Sequence, residues 1–263
     1  MNLTTFKDDT GCECLTVTAA TAMIRVRARE YPAQSGLETD IRMTLEDGIP
    51  RHTNGPLTLN LANLGPLGLD VGVEAVSTWY TLWLIPHPTI TDQLSAVFSV
   101  QPPTGRPTGY PVCRYVGCVR NDAAGDLVAL VQQGDRSDPF QALVVENVPA
   151  LDGAAVDLDL TAVVPPWAAA AMVQINMVKD AAAGAITVTI WQDDGAAVPA
   201  ARAVQEHVFQ LEADAAVHIG NHEFLHLLTG RRGHLWRQRV SGGAAVLTNW
   251  QLLVTSFWDQ YVR

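Results

Sequence analysis

His222-Glu223-Phe224-Leu225-His226 matches H-E-x-x-H, the spacing at which two imidazoles share one zinc ion while the glutamate acts on the metal-bound water. That chemistry needs a helix, because only i, i+4 positions on one helical face bring both rings to one metal. His218 or His234 would supply the third ligand. A helix here is confined between Gly220-Asn221 and Thr229-Gly230, about two turns, which is short for stability. The longer zinc-protease pattern asks for a glycine and a third histidine at positions that Thr229 and Arg232 occupy. Read as a strand, the segment puts Phe224, His226 and Leu228 on one face and Glu223, Leu225 and Leu227 on the other. The two histidines would then stand on one side about 13 Å apart, too far to share a metal. LWRQRV follows with strand alternation, and TGRRG suits a hairpin connection, so a strand is the expectation. A zinc-dependent hydrolase built on His222, Glu223 and His226 is kept only as an alternative.

Other reactive side chains form no set. Cys113 and Cys118 fall on opposite faces if 112–120 is one strand. Cys12 and Cys14 face one way, but two ligands make no zinc site, and buried or cytosolic thiols are the expected state of all four. Asp157 and Asp159 occupy the polar face of VDLDL, where solvated carboxylates are the default and a calcium site the minor alternative. Arg231, Arg232, Arg237 and Arg239 form the basic cluster, read as hairpin charges or an intersubunit salt-bridge patch. No G-x-S-x-G elbow, phosphate loop or dinucleotide fingerprint occurs, so the expectation is a non-enzyme with no cofactor and no metal.

The elements that would carry these residues are strands. Apolar residues alternate at 14–18, 23–29, 57–61, 156–160, 186–190 and 235–240, the mark of half-buried strands. Turn clusters such as Glu46-Asp47-Gly48, Asn54-Gly55-Pro56 and Asp193-Asp194-Gly195 separate them. No long amphipathic helix is visible, and the alanine-rich stretch from Trp167 is read as strand because it runs into MVQINMV. The expected fold is all-β, with two consecutive antiparallel β-sandwich domains, jelly-roll-like, and little helix. The expected division is an N-terminal arm at 1–13, a first domain at 14–135 and a second at 140–263. The polar stretch Gln132–Pro139 marks the boundary. One strand, Val76–Ile85, is apolar on both faces: Ser77, Trp79, Thr81, Trp83 and Ile85 on one, Val76, Thr78, Tyr80, Leu82 and Leu84 on the other. It is central in a sheet or covered by another subunit.

Composition narrows the class. The chain has 263 residues, 48% of them apolar, which provides for a full core and excludes global disorder. Only 17% are charged, against about 25% in ordinary soluble domains, so part of the surface is expected to be covered by partners. A net charge of −10 argues against nucleic acid as a partner. No run of eighteen apolar residues argues for membrane insertion, and the first residues lack a signal-peptide pattern.

One set of motifs resembles a known module. Leu67-Gly68-Leu69-Asp70-Val71-Gly72, followed by Ser77-Thr78-Trp79-Tyr80 and Leu82-Trp83-Leu84-Ile85, is similar to a β-rich module of tailed-bacteriophage fibre and other virion structural proteins. The likeness continues through a proline-containing link, 102–111, into Arg114-Tyr115-Val116-Gly117-Cys118-Val119-Arg120 and the Asn121–Leu127 hairpin. It reaches Val163-Val164-Pro165-Pro166, where Trp167-Ala168 replaces the module's Thr-Ala. It covers roughly residues 60–170; beyond 171 only the strand rhythm agrees. The resemblance implies a non-enzymatic virion protein, assembled in the host cytoplasm and displayed as a compact fibre, spike or capsid decoration component. It implies other virion proteins as partners and a homotrimer. Trp79, Tyr80, Trp83, Arg231 and Arg232 are the expected binding or interface residues. A receptor- or glycan-binding tail-fibre protein, with exposed aromatics stacking on sugars, is the nearer alternative.

Overall fold

The structure, a computed structural model, describes residues 10–13, 23–28, 41–54, 57–192, 205–211, 217–226 and 234–262. Among the described residues every regular element is a strand and none is a helix: the chain is all-β, built of antiparallel sheets. It divides into two compact units, Met1–Phe140 with Asp259–Arg263, and Gln141–Trp258. The expected strand at 14–18 and the turn at 193–195 lie outside the described residues.

Unit 1 contains β1 (Thr10–Glu13), β2 (Met23–Ala28), β3 (Arg42–Thr44), β4 (Pro50–His52) and β5 (Leu57–Asn60). It continues with β6 (Trp79–Pro86), β7 (Leu94–Ser99), β8 (Arg114–Arg120), β9 (Leu130–Gln133) and β10 (Arg136–Pro139). Residues 10–13, the end of the arm read from the sequence, are thus a strand, paired with β2 and touching β9 through Glu13 and Val131. One sheet runs β10-β9-β1-β2-β5, another β7-β6-β8, and β3-β4 is a separate hairpin. The stretch Gln132–Pro139, read as the boundary, forms the β9-β10 hairpin with Gln132 and Ser137 buried, and the division between the units follows it at Phe140 and Gln141. Its polarity reflects a tight turn, with Gly134 at φ 61°, and not a loose connection.

The two-sided apolar strand is central. β6 pairs with β7 along Leu82–Phe98 and Leu84–Ala96, and with β8 from Trp79–Arg120 to Leu84–Arg114. Burial on both faces explains its unbroken apolar run. Ahead of it, the Leu67–Gly72 turn clips to the side of β7: Leu67 N–H donates to Ala96 O (2.7 Å) and Asp70 N–H to Phe98 O (2.8 Å). A Cβ on Gly68 would lie 2.4 Å from the Asn63 carbonyl oxygen, a backbone atom, so only glycine fits there.

Unit 2 contains β11 (Leu143–Glu146), β12 (Asp152–Asp159), β13 (Ala168–Lys179) and β14 (Ile186–Gln192). After these come β15 (Gln205–Leu211), β16 (Val217–His226), β17 (His234–Ser241) and β18 (Leu247–Asp259), whose last residue is counted with unit 1. β13 includes the alanine-rich stretch expected as strand. One sheet is ordered β16-β13-β18-β11 and the other β12-β17-β14-β15. β11 pairs antiparallel with β18, β12 with β17, β13 with β16 and β14 with β15. Along β13, Val173, Ile175 and Met177 are buried while Met172, Gln174 and Asn176 are half-buried, the period of two that a one-sided core imposes.

Candidate functional site

In unit 1 the aromatic side chains of β6 build a core. Tyr80 is fully buried; its hydroxyl accepts from Ala75 N–H (2.7 Å) and its ring meets Phe98 edge-on at 6.3 Å. Burial raises its phenol pKa above the usual value. Trp83 donates its indole N–H to Thr81 Oγ1 (2.8 Å) and packs edge-on against Tyr115 at 5.3 Å. Ile85, Val97 and Cys113 complete this cluster, with Tyr110, Tyr261 and Val262 against it. Tyr115 donates its hydroxyl to the buried Asp259 carboxylate, and Asp259 N–H donates to Asp135 O (2.7 Å), so the chain's last residues are built into this unit. Trp79 is half-buried.

The residues that carry the virion resemblance hold the sheet together. Asp70 Oδ2 accepts from Ser99 Oγ (2.8 Å) and from Thr108 N–H (2.7 Å). Buried Asn121 donates to Glu74 Oε1 (2.9 Å) and Ala75 O (3.2 Å), tying the loop before β6 to the end of β8. At Gly117, β8 is bulged against β6, and a Cβ there would sit 2.0 Å from Gln132 Oε1. The missing side chain admits the Gln132 amide, which donates to Val116 O (2.6 Å) and Gly134 O (2.9 Å). Cys113 and Cys118 are both buried. Desolvation, with Glu46 adding a smaller push, raises the Cys113 thiol to about 11.

The H-E-x-x-H segment is the end of strand β16. His222 lies opposite Gln174 and His226 opposite Ala170, in an unbroken register of pairs from Val217 to His226. Four residues of extended chain separate the two positions by about 13 Å. The helical spacing that zinc sharing requires is therefore absent from the backbone. His218 lies opposite Val178, and His234 opens β17 opposite Asp159. Asp157 and Asp159 are exposed.

The basic cluster is divided. Arg231 and Arg232 lie outside the described residues. Arg237 and Arg239 are buried inside unit 2, where Arg237 donates to Glu146 Oε1 (2.7 Å) and an Arg239 nitrogen lies 3.7 Å from the same oxygen. Their ion pair is therefore made within one chain and not between subunits, a correction to the surface reading. Trp250 donates its indole N–H to the other Glu146 oxygen (2.7 Å), and the Arg239 guanidinium lies 5.2 Å over the Trp250 ring. Desolvation lowers Arg237 to about 10 despite Glu146, which leaves it charged at neutral pH. Glu146 and Trp250 come from one sheet and the arginines from the other, so the cluster bonds the two sheets together. Sequence reasoning missed Glu146 and Trp250. The available signal was the shared parity of Arg237 and Arg239 with buried Leu235.

Among the described residues, no three histidine, cysteine, aspartate or glutamate side chains are grouped to hold a metal. Trp83, Trp191 and Trp250 are buried and the other four tryptophans half-buried. Neither a scan against models of protein families nor a search of curated proteins returns a match to this chain.

Proposed function

We propose that the protein is a non-enzymatic bacteriophage virion structural protein, a compact fibre, spike or capsid decoration component that acts by assembly and binding. The observation that carries this reading is the use made of the motif residues. The Leu67–Gly72 turn, the β6 strand, the Arg114–Arg120 strand and Asn121 supply backbone pairing, core packing and loop ties. They serve construction of a scaffold.

A jelly-roll sandwich for unit 2 belongs to the same proposal. Its eight strands pair first with last, second with seventh, third with sixth and fourth with fifth. That nesting is what a single long hairpin wound into two sheets produces, and capsid domains commonly use it. Unit 1, with its two larger sheets, is proposed as the other sandwich. Fold alone does not dictate activity, so the jelly-roll order supports the reading only alongside the motifs.

The reading expects a homo-oligomer, three copies by the resemblance, with other virion proteins as partners. Size-exclusion chromatography with light scattering checks it. An assembled species at micromolar concentration is expected, and a monodisperse monomer contradicts the homo-oligomer.

A further inference from the structure

The outward sides of the two unit 2 sheets differ in charge. In β16-β13-β18-β11 the outward positions include Met172, Gln174, Asn176, Gln251, Leu253 and Val144, all half-buried or exposed. Val144 lies opposite Leu253, and Asn176 Nδ2 donates to Gln251 Oε1 (3.4 Å), which places these residues on one continuous surface. Among the described side chains on it none is lysine, arginine, aspartate or glutamate, and its ionisable positions are His218 and His222 of β16, opposite Val178 and Gln174. The other sheet turns Asp157 and Asp159 to solvent.

We infer that this uncharged face is where a second copy of the chain docks, face to face. Three features select a second copy. First, the chain carries −10, so two copies repel wherever acidic surfaces meet, and a charge-free contact is where they approach at least cost. A basic partner would gain more from the acidic sheet. Second, Gln174 donates to Asn176, which donates to Gln251. An amide row carries both donors and acceptors, so it is complementary to itself across a two-fold axis. Third, strands of 12, 10 and 13 residues beside the short β11 sweep a face on the order of 600–700 Å². That approaches the ~800 Å² per partner of stable assemblies, with the depletion of lysine and acidic residues found at an interface centre.

The inference rests on the proposed assembly and adds a two-fold contact to it, which joins copies in pairs, so that a three-copy assembly docked through it holds six chains. The test is light scattering on the purified chain and on Val144→Glu, Gln174→Glu and Leu253→Glu, with Val208→Glu on the opposite sheet as control. Val144 and Val208 are 55% and 57% exposed, so their variants leave the interior untouched. Circular dichroism confirms the strand content of each variant, and Val144→Glu decides the question if Leu253→Glu misfolds. The expected result is an even number of copies, a rise of about tenfold or more in dissociation constant for the face variants, and none for the control. An oligomer that the face variants leave intact overturns the contact and keeps the assembly. A monomeric parent chain overturns both.

Discussion

The interior around β6 in unit 1 and the interior between the unit 2 sheets solve the same packing problem differently. Around β6 the buried surface is apolar and aromatic, and Thr81 serves the Trp83 indole from two residues away. Between the unit 2 sheets the core includes two arginines and a glutamate, joined across 91 residues of sequence. Dispersion and desolvation hold the first interior and accept many apolar sequences. The second accepts few registers: a slip of β17 by one residue would turn Arg237 and Arg239 outward and separate them from Glu146. An apolar core supplies cohesion; a buried ion cluster adds a strong preference for one pairing.

The sharpest way to break this comparison is Glu146→Ala. It removes the carboxylate that buried Arg237 and Arg239 share and the acceptor of Trp250, and should cost about 3–5 kcal/mol in urea unfolding. A loss under ~1 kcal/mol would show that the cluster does not discipline unit 2. Gly117→Ala should cost about 1–3 kcal/mol, because its Cβ must expel the buried Gln132 amide. Adding Gln132→Ala should recover part of that loss, and strict additivity would disprove the clash.

Two chemical tests probe unit 1 more gently. The Cys113 thiol, buried and raised to about 11, should resist iodoacetamide at pH 8 in the folded chain and react once urea unfolds it. Equal rates in both states would place it at the surface. The smallest effect belongs to Asp47, whose carboxyl the Arg51 hydrogen bond chiefly holds at about 2, against 3.8 ordinarily. A depressed carboxylate pKa stabilises above about pH 4, and that contribution is lost as the pH falls through 2. The stability difference between the parent chain and Asp47→Asn should narrow over that window; a constant difference would rule the linkage out.

These contrasts also explain what could be read in advance. Strands that alternate, such as 156–160 and 186–190, were legible because a one-sided core prints its period on the sequence. The central place of β6 was legible from its two apolar faces. The strand at the H-E-x-x-H segment followed from its flanking turns and the alternation of its neighbour. That Gln132–Pro139 is itself a hairpin was not legible, because a hairpin and a connection share a polar composition and only the pairing of Ser137 with Gln132 tells them apart; the division between the units follows it, at Phe140 and Gln141. Arg237 and Arg239 were misread as surface charges for a different reason. Their carboxylate lies on β11, and nothing local to β17 announces a partner so distant in sequence. Of the residues expected at a binding or interface surface, Tyr80 and Trp83 are buried and Trp79 is half-buried, while Arg231 and Arg232 lie outside the described residues.

The uncharged and acidic faces of unit 2 bear most directly on the central claim that this chain is a piece of a particle. The decisive measurement is electron imaging of intact virions at a resolution that traces strands. The account predicts symmetry-related copies of two all-β units on the particle exterior, with Asp157 and Asp159 toward solvent and Val144 and Leu253 at a contact between copies. Particles that lack the chain altogether would contradict it.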